Sequence, residues 1–316
     1  MNKFAPTIYE HAASLINKTP SETAYNEDLL VEGHLKAFQL YKHALITAGI
    51  DIYNVEAEAL GLGVTRYSDN SLPSVEGRLD DVSSLKVPDL DQGRLRLHLN
   101  AGNRLLKETG ALVNGALVGP YTLAAILEGF ENFTIKLLTE PEAAQNLMEF
   151  TLKVCIFYAR EFLTRGMGIT VNESWIAPPL LSPEIYREHI SPLHKRIFYE
   201  LKEFDLSHSC LICGGNTTPI VQYLAATGTS LVMADANCDV EHFKNICRKN
   251  DIMLRASINP ALLLEGSEED IKKSVSYIID KCFDYEKSIL GCGIVPFETP
   301  FENVLLFKEI FTQLMP

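Results

Sequence analysis

The sequence predicts an α/β protein, a (β/α)8 TIM barrel with an N-terminal helical extension. Short, nearly continuous apolar runs recur along the chain, and longer stretches with helical periodicity separate them. Such runs are typical of parallel strands that are buried on both faces. No GxGxxG or GxxxxGK[ST] phosphate loop follows any run, and this disfavours the alternative, an open doubly wound sheet.

Seven apolar runs are candidate strands, and each is followed by a stretch that contains Gly, Asp, Asn or Pro. They are Ala44–Ile50, Leu112–Gly119, Gly168–Val171, Leu206–Cys213, Thr229–Met233, Ile252–Ile258 and Ser288–Cys292. A barrel needs eight strands, so we expect one more near Gly61–Tyr67. The first 43 residues should form the helical extension, and residues 1–316 should form a single barrel domain.

Polar residues mark several predicted helix starts. Ser182 and Ser191 each precede a proline, which is typical of an N-cap followed by the first helical residue. Capping boxes are expected to open helices at Ser267 and Thr299. The amphipathic stretch 141–165 predicts a long helix that stops near a glycine.

Composition and charge narrow the function classes. The 316 residues are 47% apolar, and 41 acidic against 28 basic residues give a net charge of -13. This charge repels phosphate backbones and anionic lipid, so neither nucleic acid nor a membrane is an expected partner. Glu10 interrupts any apolar leader, and seven cysteines without regular spacing argue against a disulfide framework. We therefore expect a cytoplasmic protein.

Function in a barrel collects at the carboxyl ends of the strands, so the residues found there are the candidates. The candidate catalytic acids are Asp51 and Glu173. The candidate substrate-binding residues are Tyr53, Glu56, Tyr121, Trp175, Asn216 and Asn259. Each has a structural alternative, since acids after strands often cap helices and a lone Trp often belongs to the core.

Two cysteines stand out because each ends a predicted strand and precedes a glycine. These are Cys213 and Cys292, and cysteine thiolates are ligands for zinc. His208 and Cys210 lie nearby in sequence. Because side chains alternate along a strand, Cys213 shares its face with Leu211, whereas His208 points to the other face. A regular strand therefore cannot direct all of these groups at one metal.

Four segments resemble a known family. They are GIDIYNVEAEALG (49–61), LVGPYTLAAILEG (117–129), CGGNTTPI (213–220) and GCGIVPFETPFENV (291–304). They are similar to the uroporphyrinogen decarboxylase superfamily, and most similar to its branch of cobamide (methylcorrinoid) methyltransferases. The resemblance extends from about residue 5 to the C-terminus and implies a (β/α)8 barrel.

The resemblance also implies a zinc site built from a His-x-Cys strand end and a later Gly-Cys-Gly. Carried over to this chain, the two cysteines are Cys213 and Cys292, but the histidine position is occupied by Leu211. A substitute third ligand is then required. The alternation of side chains favours Asp235 over His208.

The resemblance implies a methyltransferase of one-carbon metabolism that uses a methylcorrinoid supplied by a corrinoid-binding protein. The methyl group would pass to a thiol or similar small acceptor, with zinc assisting. One alternative is a cofactor-free uroporphyrinogen decarboxylase-type lyase, disfavoured because no arginine precedes Arg66. Another is a metal-free, non-catalytic relative that binds a corrinoid or a small ligand, for which Leu211 is the main support. The acceptor and the oligomeric state stay open, with a homodimer as one option.

Overall fold

A curled sheet of seven parallel strands forms the centre of the protein. The computed structural model describes residues 2–79 and 81–315. The sheet contains β1 (Leu45–Ala48), β4 (Leu112–Val118), β5 (Gly168–Asn172), β6 (Cys210–Ile212), β7 (Leu231–Ala234), β8 (Met253–Ile258) and β9 (Ser288–Cys292), in that order. Each strand pairs with the next in the series, so the seven predicted strands are confirmed.

Helices surround this sheet because consecutive parallel strands need a crossover connection. They are α1 (His11–Ser14), α2 (Pro20–Ala24), α3 (Glu27–Tyr41), α4 (Val55–Ala59), α5 (Leu95–Thr109), α6 (Pro120–Glu128), α7 (Phe130–Thr139), α8 (Pro141–Leu163), α9 (Pro183–Ile185), α10 (Ser191–Glu200), α11 (Val221–Ala225), α12 (Val240–Asn250), α13 (Ala261–Glu265), α14 (Glu268–Cys282) and α15 (Phe301–Leu314). Short 3-10 helices cover Ser174–Ile176 and Thr218–Ile220, and a π-helical turn covers Tyr186–Ile190. None of the helices in the described part of the chain has the length and apolar character needed to span a bilayer.

The eighth strand does not lie where the sequence placed it. Residues Gly63–Thr65 do form a strand, β2, but it pairs antiparallel with β3 (Ser74–Glu76) in a separate two-stranded sheet. The position between β9 and β1 is occupied instead by extended residues near the N-terminus. Ala5 donates a backbone hydrogen bond to Leu290 of β9, and the Phe4 carbonyl accepts one from Ala44, next to β1.

The first 43 residues are therefore not an appended helical unit. They do contain α1, α2 and α3, but residues 3–5 form backbone hydrogen bonds with β9, and Thr7 pairs with Ile294 just after that strand. This segment links the two edges of the sheet. The molecule is an α/β protein with the curled parallel sheet of a TIM-barrel-like fold.

Two of the predicted helix starts are confirmed and two are wrong. The Ser182 side chain accepts from the Ile185 amide, and Ser267 forms the expected capping box. Ser191 instead lies within a continuous helical stretch, because the π-helical turn runs directly into α10. Thr299 makes no capping hydrogen bond to α15.

The alternation of side chains divides each strand between two environments. On one face, apolar residues such as Leu211, Val232 and Leu254 pack in the main core against the helices. On the other face, Cys210, Ile212, Met233, Arg255 and Ile289 line a cavity inside the sheet. The curvature of the sheet thus separates a core of packed side chains from an interior that can admit a ligand.

Candidate functional site

A cavity of about 1280 Å³ follows the axis of the curled sheet. At the carboxyl ends of the strands it is lined by Tyr53, Ser174, Asp235 and Asn259, which we call the mouth. At the opposite, amino ends it is lined by residues that include His208. Of the candidates from the sequence, the mouth therefore contains Tyr53, Asp235 and Asn259.

Backbone hydrogen bonds hold the Asp235 carboxylate in place at the mouth. One oxygen accepts from the Gly215 amide at 2.9 Å, and the other accepts from the Ala236 amide at 2.8 Å. These bonds tie the loop after β6 to the end of β7. Asp235 is half-buried and lines the cavity, so its remaining lone pairs face bound ligands or solvent.

Across the mouth, the Tyr53 hydroxyl is hydrogen-bonded to the Ser174 hydroxyl. Burial raises the pKa of Tyr53 to about 12, so the phenol stays protonated at neutral pH. Asn259 is exposed, and its side-chain carbonyl accepts from the Ala261 amide. The mouth thus combines one carboxylate with neutral hydrogen-bonding groups.

The interior of the cavity holds a charged residue that the sequence analysis missed. Arg255 lies on β8 in the sequence MLRASI, opposite Met233 of β7, and its Nη2 lies 2.7 Å from the Met233 Sδ. Tyr9 and Asn172 line the same part of the cavity. A charge within an otherwise apolar buried strand was the signal available in the sequence.

Asp51 does not line the cavity. Its two oxygens accept hydrogen bonds from Arg94 Nη1 and Nη2 at 2.7 and 2.8 Å, and one also accepts from Asn54 Nδ2 at 3.0 Å. The Arg94 Nε donates to Glu58 at 2.6 Å. Asp51 is therefore one partner of a buried bidentate ion pair, which is a structural arrangement.

Glu173 is fully buried behind the strand ends and also lies outside the cavity lining. One of its oxygens accepts from the Thr122 amide at 2.8 Å, in the first turn of α6. The other lies 3.4 Å from the Nε2 of buried His194. Glu173 follows β5 and caps the neighbouring helix α6. This is the role of helix cap that the sequence offered as the alternative to catalysis for acids after strands.

Glu56 is a second buried carboxyl group. One oxygen accepts from the Val118 amide at 2.9 Å, and the other has no hydrogen-bond partner among the described residues. Burial raises the pKa of Glu56 to about 8. This group is largely protonated at neutral pH and belongs to the core behind β1 and β4.

Three other candidates lie away from the cavity lining. The buried Tyr121 hydroxyl is hydrogen-bonded to Thr134 at 3.0 Å. Trp175 packs edge-on against Phe130, with ring centroids 5.5 Å apart. Asn216 is exposed on the loop after β6, where its side chain accepts from the Thr218 amide.

The two cysteines of the implied zinc site are buried in the helix-facing core. Neither Cys213 nor Cys292 lines the cavity, although the glycine after each one does. Burial raises the pKa of the Cys292 thiol to about 12 and the pKa of the Cys213 thiol well above its ordinary range.

The third ligand is not in place either. His208 precedes β6, about five residues or roughly 16 Å of strand from Cys213, and lies at the amino end of the cavity. Asp235 lines the cavity, whereas Cys213 and Cys292 lie in the core on the other face of their strands. Across residues 2–79 and 81–315, no three His, Cys, Asp or Glu side chains are grouped so that they could hold a metal ion. This arrangement does not fit a zinc ion.

Comparison with known proteins gives the family. The family model for uroporphyrinogen decarboxylase (URO-D) matches residues 1–314. The methylcobamide:CoM methyltransferase MtbA of Methanosarcina mazei is 27% identical over 262 residues, which cover 80% of this chain and 75% of that enzyme. Uroporphyrinogen decarboxylase 2, chloroplastic, of Arabidopsis thaliana is 25% identical over 319 residues, covering 95% of this chain and 78% of that protein.

A solved structure supports the fold. A methyltransferase from Methanosarcina mazei superimposes with a TM-score of 0.86 at 20% identity, covering 99% of this chain and 93% of the other. The chain belongs to the uroporphyrinogen decarboxylase family.

Proposed function

We propose that the protein transfers a methyl group from a corrinoid carried by a separate protein to a small thiol acceptor in the cavity. The observation that carries this proposal is the similarity to methylcobamide:CoM methyltransferase MtbA over 80% of the chain. The cavity is consistent with it, since its mouth lies at the carboxyl ends of the strands, where barrel enzymes bind their substrates.

The methylated corrinoid protein is the second substrate, and it supplies a methyl group bound to cobalt. The acceptor sulfur forms a bond to the methyl carbon, the carbon–cobalt bond breaks, and its electron pair stays on cobalt. The acceptor proton passes to an oxygen of Asp235. An unassisted thiol is only a few per cent ionised at pH 7, so a carboxylate that accepts this proton raises the reactive fraction.

Other residues of the mouth orient the acceptor. Tyr53 and Ser174 form a hydrogen-bonded pair across the mouth from Asp235. The apolar walls below, which include Ile212 and Met233, exclude water from the bound acceptor. No step is assigned to zinc, because the described side chains do not fit one.

The charged residues that line the cavity disfavour the decarboxylase alternative. A porphyrinogen with many carboxylates needs several cationic partners. Besides Arg255, the cavity is lined by Lys3 and Lys287, and Lys287 is paired with Asp251 at 2.7 Å. Asp235, Asp251 and Glu286 line the same cavity, so its surface does not favour a polyanion.

The test is a methyl-transfer assay with free methylcobalamin as the donor and a panel of small thiols as acceptors. We expect loss of the cobalt–methyl absorbance together with a methyl thioether detected by mass spectrometry. Asp235→Asn should lower kcat by about 10²-fold, at the low end of what a positioned proton acceptor contributes. Asp251→Asn is the matched control, because this carboxylate lines the same cavity at its far end and should leave kcat unchanged.

The alternatives give different results in the same experiment. Decarboxylation of uroporphyrinogen by the purified protein would support the lyase and contradict methyl transfer. Binding of methylcobalamin with no transfer to any thiol would support the non-catalytic relative.

A further inference from the structure

The amino half of the cavity is lined by a group of apolar side chains that is separate from the main core. They come from strands of the sheet and from residues that precede β1, and all of them line the cavity: Ala5, Ala44, Leu45, Cys210, Ile212, Leu231, Met253 and Ile289. Leu45, Cys210, Leu231 and Met253 are the first residues of their strands, which places the group towards the amino ends. We call this part of the cavity the apolar chamber.

Small side chains keep the apolar chamber open. The interior of a (β/α)8 barrel is normally filled by layers of bulky branched residues such as Val, Ile and Leu. Here Ala5, Ala44 and Cys210 occupy positions that face the interior. Leu45 and Met253 are only half-buried, although helices cover the outside of the sheet, because they border the cavity.

The size of the cavity favours a ligand that extends from the mouth into the chamber. Its volume of about 1280 Å³ exceeds the ~300–1,000 Å³ of typical sites for drug-sized ligands, so a short thiol at the mouth would fill only part of it. Atoms that line unfilled apolar space lose dispersion contacts, and apolar cavities bind apolar molecules in preference to water.

The charged residues that line the amino end of the cavity are half-buried or exposed at its rim: Lys3, Asp251, Glu286 and Lys287. Lys287 is paired with Asp251 at 2.7 Å, and the Lys3 ammonium lies over a neighbouring aromatic ring. Burial lowers the pKa of His43 to about 3 and also lowers the pKa of His208, so both imidazoles are neutral at neutral pH. The surroundings of the chamber therefore suit an uncharged group.

Strand geometry sets the depth of the chamber below the mouth. Cys210, Leu231 and Met253 are in register across three neighbouring strands. Asp235 lies four residues beyond Leu231, so at about 3.3 Å per residue the two levels are separated by roughly 13 Å along the strand. A ligand that spans both levels is elongated, with a polar end near Asp235 and an apolar end in the chamber.

We propose that the apolar chamber binds the uncharged alkyl or aryl end of a ligand whose polar end lies at the mouth. The identification of that ligand as the methyl acceptor, a thiol with an apolar body, rests on the function proposed above, whereas the apolar site does not. The sulfur then lies at the level of Asp235, where a corrinoid carried by a second protein can reach it. The chamber selects acceptors by the length of their apolar part.

The test is calorimetric binding of uncharged, non-reacting probes to the purified protein, namely butan-1-ol, hexan-1-ol and octan-1-ol. We expect the dissociation constant to fall by about fourfold for each added CH₂ group, which corresponds to the ~0.8 kcal/mol gained for each buried CH₂. Cys210→Phe fills the chamber and should weaken octan-1-ol binding by about tenfold, the loss of between one and two buried CH₂ groups. Leu45→Phe, at a half-buried position of the same chamber, is a second filling variant in case Cys210→Phe does not fold.

Leu138→Phe is the matched control, because it makes the same exchange at an exposed position of α7 outside the cavity lining and should leave octan-1-ol binding unchanged. Equal affinity of the wild-type protein for butan-1-ol and octan-1-ol would overturn the apolar site. Octan-1-ol binding as tight in folded Leu45→Phe as in Leu138→Phe would place the apolar contacts outside the chamber and overturn the assignment.

A methyl-transfer assay with free methylcobalamin separates the apolar site from the proposed function. Octane-1-thiol should show a KM lower than that of ethanethiol by about tenfold or more, and Leu45→Phe should reduce this difference. Equal KM values for the two thiols would overturn the assignment of the chamber to the acceptor. No transfer to either thiol would overturn methyl transfer itself, whereas the alkanol series decides the apolar site without any turnover.

Discussion

At the scale of single residues, burial and pairing separate the structural acids from the one at the mouth. Asp51, Glu56 and Glu173 are all buried, and each accepts hydrogen bonds from a protein donor. Asp235 is the acid among the candidates that lines the cavity. The sequence placed all four at strand ends, but only the structure shows which of them a ligand can reach.

The Arg94 ion pair predicts a large effect on stability. Arg94→Met should lower the free energy of unfolding by about 3–5 kcal/mol, because it leaves the Asp51 carboxylate buried without its partner. Denaturant unfolding measures this. Arg104→Met removes a half-exposed arginine that contacts the carboxylates of Glu27, Asp28 and Glu108, and it should cost less than about 1 kcal/mol. A loss of turnover in Asp51→Asn at unchanged stability would instead assign Asp51 to catalysis.

The burial of the two candidate zinc ligands predicts the zinc content of the purified protein. Protein purified without chelators should contain well under one zinc per chain by elemental analysis, because Cys213 and Cys292 lie in the helix-facing core. Cys292→Ser should then leave the metal content unchanged. About one zinc per chain, lost in Cys292→Ser and in Asp235→Ala but kept in His208→Ala, would show that these ligands assemble as the family resemblance implies.

At the scale of elements, the contact between the start of α6 and the end of β5 is especially tight. A Cβ added at Gly119 would lie 1.3 Å from an oxygen of Glu173, so no side chain fits there while Glu173 caps α6. The glycine is required by this close approach, since its φ of -72 is available to every residue.

Gly119→Ala is therefore expected to destabilise the protein by about 1–3 kcal/mol, the usual range for overpacking. Gly63→Ala is the control, because a Cβ there has no atom within 4 Å. Thermal or denaturant unfolding of both variants measures the difference. Equal stabilities for the two variants would show that the Glu173 carboxylate moves aside without cost.

The strands could be predicted from the sequence because their apolar runs are long and bounded by turn residues. The direction of their side chains could not. In a parallel sheet covered on both faces, both alternating sets are apolar, so nothing in Cys210–Ile212 tells which set faces the cavity. Only the structure shows that Cys213 and Leu211 lie in the helix-facing core and that Cys210 and Ile212 line the cavity. The segment at residues 3–7 was missed because it is short and contains a proline.

At the scale of the whole molecule, burial of ionisable groups lowers the free energy of unfolding both towards acidic pH and towards alkaline pH. Burial lowers the pKa of His11 and His34 to about 4, and of His43 and His98 to about 3. In the unfolded chain these histidines bind protons near pH 6.5. Below that pH the unfolded chain binds protons that the folded protein does not. The free energy of unfolding therefore falls by about 1.4 kcal/mol per pH unit for each of these histidines as the pH decreases towards 4.

His98→Gln should therefore reduce the dependence of unfolding free energy on pH between 6.5 and 4. We expect the slope to fall by about 1.4 kcal/mol per pH unit. His242→Gln, which changes an exposed histidine, should leave the slope unchanged. The measurement is denaturant unfolding at several pH values. An unchanged slope for His98→Gln would mean that this imidazole is protonated in the folded protein.

Glu56 makes the opposite contribution on the alkaline side. Burial raises its pKa to about 8, so the folded protein keeps a proton that the unfolded chain releases near pH 4.5. Stability is lost as the pH rises through this interval, by about 1.4 kcal/mol per pH unit. Glu56→Gln removes the ionisation and keeps the hydrogen-bond acceptor for Val118, so its advantage over the wild-type protein should grow from pH 5 to pH 8.

Exposed Glu32→Gln provides the baseline, because a solvated carboxylate on α3 should give a difference that does not change with pH. A pH-independent difference for Glu56→Gln would show that the Glu56 carboxylate is ionised in the folded state. In that case an unidentified cation or water would have to satisfy its second oxygen, which has no partner among the described residues. The growing difference is expected because burial, the main cause of the shift, exceeds the opposing effects of the Val118 amide and Arg94.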